Sequence, residues 1–458
     1  MRTLIRMIFS LYISICMFPM IGRSATMKAG AAKVDITPPL GLTMYGYGGR
    51  KEGATGILDP LYARVLVLEA GDQRVAMVVC DLGRPFAPAW IERLRRDAKE
   101  KYGISYLVQA AIHTHAGPDI PDEYPPLQGP DWETPALEKI ERAVGEAEHG
   151  AVEARLGTGY GVAYIGHNRL REQANGRFGW FMVNPTMVPT APVDPTVSIL
   201  RIDNASGKPI AILVNYACHP VVFGPDNRQY SADWPGVMDA TVDRALAGEG
   251  PGAGPICFFL QGGDGDINPF FAVTPLDQNA VGRRDWTGNR LGEVAARVAK
   301  DIVTKPEAEA SLQFTEDLLD VHLRWDADKF RAAILASWGA EEAENFDRHR
   351  NEPMRLPVGT ILINKRIAFM TMPGEPFVDF QTDWRNRCPV PDAFFMGYSN
   401  GDFGYFPTVH AASLGGYGAA STATRVEVGA GERMVNQALV RVYEMLGRLT
   451  DVPEDLGK

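Results

Sequence analysis

The chain has 458 residues, of which 45% are hydrophobic and 22% charged, an ordinary globular composition that excludes large-scale disorder. A formal charge of -10 without clustered runs of Lys or Arg excludes an electrostatic footprint for gripping phosphates, so nucleic acid is not an expected partner.

At the amino end, Arg2 and Arg6 flank an apolar run over 7–20, followed by Gly22-Arg23-Ser24-Ala25. A charged region, an apolar region and a small-residue site in that order predict a signal peptide over 1–24, cleaved after Ser24, and a mature protein 25–458 in the periplasm or outside the cell. The apolar run is short for a span of about 20 residues, and Ile15 stands where a lipoprotein signal wants a small residue before Cys16. No stable membrane insertion is expected after cleavage. Cys80, Cys218, Cys257 and Cys388 then remain, with no paired spacing, and Cys80 and Cys257 lie in strand-like runs. They are expected as small core hydrophobes.

Apolar, β-branched runs at 63–69 and 75–80 predict strands, the charged periodic stretch 89–101 a helix, and 106–112 a third strand that ends in His113-Thr114-His115-Ala116-Gly117-Pro118-Asp119. A helix comes next over 135–151. The strand 210–216 runs into Ala217-Cys218-His219-Pro220, and beyond a helix at 234–246 the strand 256–260 opens into Gly262-Gly263-Asp264-Gly265-Asp266-Ile267-Asn268-Pro269. Helices at 289–304 and 329–344 precede strands at 359–363 and 366–371, the latter leading to Pro373-Gly374-Glu375-Pro376. A strand at 393–397 leads to Tyr398, Ser399 and Asn400, close before Asp402 and Tyr405, and a helix over 431–446 completes the pattern. Strands alternating with helices, with no repeat or flexible linker, predict an α/β fold: a single large domain with a mixed central β-sheet flanked by helices.

Ligands in open α/β sheets collect outside strand carboxyl ends. A lone histidine there is more often structural, and Pro-Gly-Glu or Gly-Asp-Gly-Asp is usually a turn. Here, however, several strands each deliver a metal-capable side chain to that end, and imidazole and carboxylate are donors that suit zinc. In extended chain alternate residues share a face, so one ring of His113-Thr114-His115 can bind metal while the other faces substrate.

Lys33-Val34-Asp35-Ile36-Thr37-Pro38, Met44-Tyr45-Gly46-Tyr47-Gly48, Cys80-Asp81-Leu82-Gly83, His113-Thr114-His115-Ala116-Gly117-Pro118 and Gly265-Asp266-Ile267-Asn268-Pro269 resemble, in order, the motifs of the neutral (non-lysosomal) ceramidases. Pro373-Gly374-Glu375, Asn400, Tyr405, Thr408, Tyr417 and Ala419-Ala420-Ser421-Thr422 resemble the family's later motifs. The resemblance implies a zinc amidohydrolase with one Zn2+ per chain, held by His113, His219, Glu375 and Tyr405. It further implies His115 as an acid/base or substrate group, Tyr417 facing the scissile carbonyl, and Arg169 of His167-Asn168-Arg169 contacting substrate. In such a site the metal activates water for attack on the amide, while Tyr417, Arg169 and the metal stabilise the oxyanion. Tyr405 has the alternative role of an aromatic wall.

Two departures bear on substrate. Asn268 stands where the family has Ser, so it is expected to donate to substrate or to developing charge rather than to attack. No counterpart of the family's additional C-terminal β-sandwich domain is expected after 431–446. The leading expectation is an exported zinc hydrolase of an N-acyl bond, with a small-molecule, lipid or saccharide-conjugate substrate. The alternatives are a zinc hydrolase of the same fold acting on a glycoside or other polar conjugate, for which the aromatics of 178–181 and 403–406 also suit, and a non-catalytic binding protein that kept the fold.

Overall fold

Nearly every continuous apolar run of the sequence becomes a strand buried on both faces. A computed structural model describes residues 26–120, 131–248, 254–450, 452–453 and 455, so the expected signal peptide and its expected cleavage after Ser24 lie outside the described residues. Strands β1 (Met27–Asp35), β2 (Tyr62–Ala70), β3 (Gln73–Cys80), β4 (Tyr106–Ala111), β5 (Val152–Val162), β6 (Thr196–Asn204), β7 (Pro209–Tyr216) and β8 (Ile256–Gln261) form one sheet. Their order is β8-β7-β6-β5-β1-β2-β3-β4. The sheet is mixed: β7 with β8 and β3 with β4 are parallel, and the pairs between them are antiparallel. Each parallel edge needs a crossover, supplied by helices α1 (Pro88–Tyr102) and α3 (Asp233–Ala245), while α2 (Glu133–His149) covers β1 and β2.

The sheet curls until the carboxyl ends of its two edge strands meet. Gln261, closing β8, donates through Nε2 to the carbonyl of Ile112, just past β4, at 3.1 Å. A second sheet inserts at this seam. It consists of β9 (Leu312–Val321), β10 (Met354–Ile363), β11 (Ile367–Thr371) and β12 (Asp392–Met396) in that order, the last pair parallel. Beyond β12, Gly397 N donates to Gln261 O at 3.0 Å and Ala111 N donates to Tyr398 O at 3.0 Å, so one short segment bridges both edges. Alternation decides which core each side chain joins. Ile361, Ile363, Phe369, Phe394 and Met396 face the core shared with the large sheet. Leu362, Met370, Ala393 and Phe395 face a second core with the helices Val378–Arg387 and Ala430–Met445.

The mixed α/β sheet agrees with the sequence reading, with specific differences. Strands β1, β5, β6 and β9 were not among the expected ones. β5 hides behind its glycines: a Cβ on Gly157, Gly159 or Gly161 would approach Ile302 or Val294 side-chain carbons at 2.5 Å, 2.8 Å and 2.8 Å. Close approach of the helix Ala280–Asp301 overrides the weak strand propensity of glycine. β1 is rich in Ala, Gly and Lys and is a strand because β2 and β5 flank it. The helix expected over 289–304 begins earlier, at Ala280, and ends at Asp301. The helix expected over 329–344 is two, Ala327–Trp338 and Ala340–His349, broken at Gly339, whose φ of 100° leaves the helical region. Among the described residues Cys80, Cys218, Cys257 and Cys388 are free thiols. No helix among the described residues is long and apolar enough to cross a membrane.

Candidate metal centre

The seam where the two sheet edges meet is where the histidines gather. His113 comes after β4, His219 after β7, Asp264 after β8, Glu375 after β11 and Tyr398 after β12. A parallel pair of two-residue strands, Glu375–Pro376 with Tyr405–Phe406, sets Tyr405 beside Glu375.

Both buried imidazoles are oriented by backbone carbonyls. His113 Nδ1 lies 2.7 Å from Gly83 O and His219 Nδ1 lies 2.6 Å from Asp264 O. A carbonyl can only accept, so each Nδ1 carries a hydrogen and each Nε2 of the neutral ring presents a lone pair. The two Nε2 atoms converge on one atom, Glu375 Oε2, at 3.4 Å and 3.3 Å. Burial pushes His219 down to about 3. Burial also opposes charge on His113, but Glu375 outweighs it and raises that ring. Burial alone would lift Glu375, yet the two histidines hold it well below the usual carboxylate range. His219 Nε2 and Glu375 Oε2 are buried without a hydrogen-bond partner. Lone pairs and a carboxylate facing one another in a desolvated place are what a cation would satisfy, so the residues present fit a metal ion.

His115 stands closer to this group than a residue on a separate face would. Its Nε2 is 3.2 Å from His113 Nε2, and His113, His115 and His219 together form a group able to hold a metal ion. The reason is local: His113 has a φ of 71°, so the chain turns there instead of running on extended. Tyr45 and Tyr47 pack edge-on against the His115 ring at 5.6 Å and 5.1 Å. Gly46 between them lets the ring in, since a Cβ there would lie 2.3 Å from it. Burial, then the neighbouring histidines, hold His115 well below its ordinary value.

Arg169, 4% exposed, forms the opposite wall. Its Nη2 donates to Gly265 O at 2.6 Å and to the Tyr405 hydroxyl at 2.9 Å, and its Nη1 to Asn268 Oδ1 at 3.2 Å. Its guanidinium carbon lies 5.4 Å from the ring centres of both Tyr405 and Tyr417. Burial raises the Tyr405 hydroxyl well above its ordinary value, partly offset by Arg169. Tyr417 stacks on Trp180 with centroids 4.9 Å apart and planes at 5°, and Trp180 is 54% exposed. Asn268 is fully buried beside Arg169.

All eight residues singled out in the sequence thus lie in one connected region: His113, His115, His219 and Glu375 at its centre, with Tyr405, Arg169, Asn268 and Tyr417 adjoining. Sequence reasoning gave no role to Asp264, Tyr398, Tyr45 or Tyr47. Tyr398 stacks on His113 at 4.0 Å and donates to Asp264 Oδ1 at 2.5 Å, and burial raises Asp264 to about 7. Their signal was present, because each stands in a family-like motif or directly after a strand.

The family described as neutral/alkaline non-lysosomal ceramidase, N-terminal, matches residues 27–279. The crystal structure of a neutral ceramidase from Pseudomonas aeruginosa is similar over 94% of this chain and 77% of its own, at 18% identity and a TM-score of 0.71. A ceramidase complexed with C2 is similar over 94% of this chain and 76% of its own, at 17% identity and a TM-score of 0.73. These likenesses establish the fold, and at 94% of the chain they extend past the segment that the family matches.

Proposed function

Because the chain belongs to the neutral/alkaline non-lysosomal ceramidase family, we propose that it is an exported zinc-dependent hydrolase of an amide bond, acting on ceramide or another N-acyl compound. The observation that carries this reading is the convergence of two oriented imidazole lone pairs on one buried carboxylate oxygen. His113, His219, Glu375 and Tyr405 would hold one Zn2+, a nitrogen and oxygen donor set that suits this ion. When bound, the ion supplies Lewis-acid activation of water and of the substrate carbonyl.

The remaining work falls to the chain. Arg169, held by three acceptors, presents fixed positive charge to an oxygen that becomes negative during attack, and the Tyr417 hydroxyl beside it offers a further donor. His115 carries a proton to the departing amine, a role for which its place against His113 and its fixed ring orientation suit it. The buried rings of Tyr398 and Tyr405 keep bulk water from the centre of the site and strengthen the electrostatic contacts there.

One observation suits a second substrate class as well as the first. Trp180, exposed and stacked on Tyr417, offers a flat indole face of the kind that packs against a sugar ring as readily as against an acyl chain. A glycoside or other polar conjugate is the alternative substrate. The deciding experiment assays the secreted protein on N-acyl and glycoside panels before and after chelation, with metal analysis and amino-terminal sequencing. The expected result is amide hydrolysis lost on chelation and restored by zinc, from a protein beginning at Ala25. Cleavage of glycosides alone would install the second reading, and full activity in metal-free protein would remove zinc from the proposal.

A further inference from the structure

We propose that Asn268 is a positioning residue for Arg169, a clamp that fixes the guanidinium at the site and leaves its positive charge unneutralised. Asn268 sits on the short antiparallel ladder of Ile267–Pro269 with Gly166–Asn168, opposite His167, two positions from Arg169 along the partner strand. Arg169 N continues this contact by donating to Asp266 O at 2.8 Å. The backbone relationship between the two residues is therefore set before their side chains meet.

The side-chain amide is occupied at both ends. Its Oδ1 accepts from Arg169 Nη1 at 3.2 Å, and its Nδ2 donates to Met182 O at 3.1 Å with Met182 Sδ at 3.0 Å. None of its surface is exposed. An amide whose donors are spent on Met182 acts on substrate through Arg169 rather than by its own contact. Met182 also belongs to the segment that carries Trp180 and Phe181, and Phe181 N donates to Arg169 O at 2.7 Å. Asn268 thus ties the guanidinium to the wall that bears the exposed indole.

The residue type matters in two ways. Its carbonyl oxygen lies one bond farther from the backbone than a serine hydroxyl, so Ser at 268 leaves Arg169 Nη1 short of this acceptor. Its oxygen is also neutral, as are the Gly265 carbonyl and Tyr405 hydroxyl that accept the other bonds. A carboxylate there would hold the guanidinium equally well but cancel its pull on developing negative charge.

The kinetic arm rests on the amide-hydrolase reading; the structural arm does not. In the zinc-loaded enzyme, Asn268→Ala is expected to lower kcat by about 10- to 100-fold, the order a displaced positioning group costs. In an Arg169→Ala background the same change is expected to cost less than about twofold, since a residue acting through another is non-additive with it. Metal content stays unchanged in each variant. An equal loss in both backgrounds, or none in the wild-type background, overturns the proposal. A crystal structure of Asn268→Ala tests it without a substrate: the Arg169 guanidinium is expected to leave the Tyr405 hydroxyl or adopt several positions, and an unmoved guanidinium overturns the clamp. If wild type cleaves no N-acyl compound, the functional reading fails, and this structure still decides the role of Asn268.

Discussion

His219 Nε2 and Glu375 Oε2 lie 3.3 Å apart, both buried and neither hydrogen-bonded. Such a contact costs free energy by itself and becomes favourable with a cation between the partners. Purified protein is expected to hold about one zinc per chain, and His219→Ala or Glu375→Ala to lose it, as read by elemental analysis. Stoichiometric zinc in both variants would refute the ligand assignment. Because a ligand that binds only the folded state stabilises it, by about 2.7 kcal/mol at a hundredfold excess over Kd, chelation is also expected to lower Tm reversibly.

His115 tests which imidazoles hold the ion. His115→Ala is expected to keep its zinc while turnover falls by about 10²- to 10⁴-fold, the usual worth of a proton-transfer group. Loss of zinc together with turnover would instead make the three-imidazole group of His113, His115 and His219 the metal set.

Gly46 is where the backbone admits His115. With a φ of 102° and a Cβ that would fall 2.3 Å from the ring, Gly46→Ala is expected to destabilise the fold by about 1–3 kcal/mol, through strain and the displaced imidazole. Thermal unfolding of the metal-loaded protein reads this, and an unchanged Tm would show that the Tyr45–Tyr47 loop yields without cost.

Arg64 is buried with Asp81 at 2.6 Å and Asp239 at 2.9 Å. Removing one partner of a buried ion pair typically costs about 3–5 kcal/mol because the other charge is stranded. Arg64→Met is therefore expected to lower stability strongly in denaturant unfolding, because it strands two buried carboxylates, and more than Asp81→Ala, which leaves Arg64 paired with Asp239. The reverse order would mean that the two carboxylates are neutralised by protons or reached by water once Arg64 is gone.

Trp180 discriminates between substrates. Trp180→Ala removes a face that binds ground state and transition state alike, so KM is expected to rise with kcat little changed. If kcat falls instead with KM constant, Trp180 supports Tyr417 in the chemical step and the platform reading is wrong.

Several features of this protein could be read from its residues alone. Hydrophobic runs such as 75–80 and 256–260 are core strands because they have no polar face to turn outward, and the residues just past each strand are given by chain order. His113, His219 and Glu375 were therefore visible as strand-end residues, and their motifs tied them to a family. Their meeting, by contrast, is not contained in the residues. β4 and β8 are opposite edges of an eight-stranded sheet, and only its curl, closed by Gln261 and the segment after β12, brings His113 within 4.7 Å of His219 between ring centres. The glycine-bearing strand β5 was hidden for the same reason, since its identity depends on a helix distant in the chain. So was the amide of Asn268, whose partners Arg169 and Met182 are local neighbours only in space. Local patterns report which surfaces must be buried, while the convergence of a site is decided by long-range packing that no short window of sequence encodes.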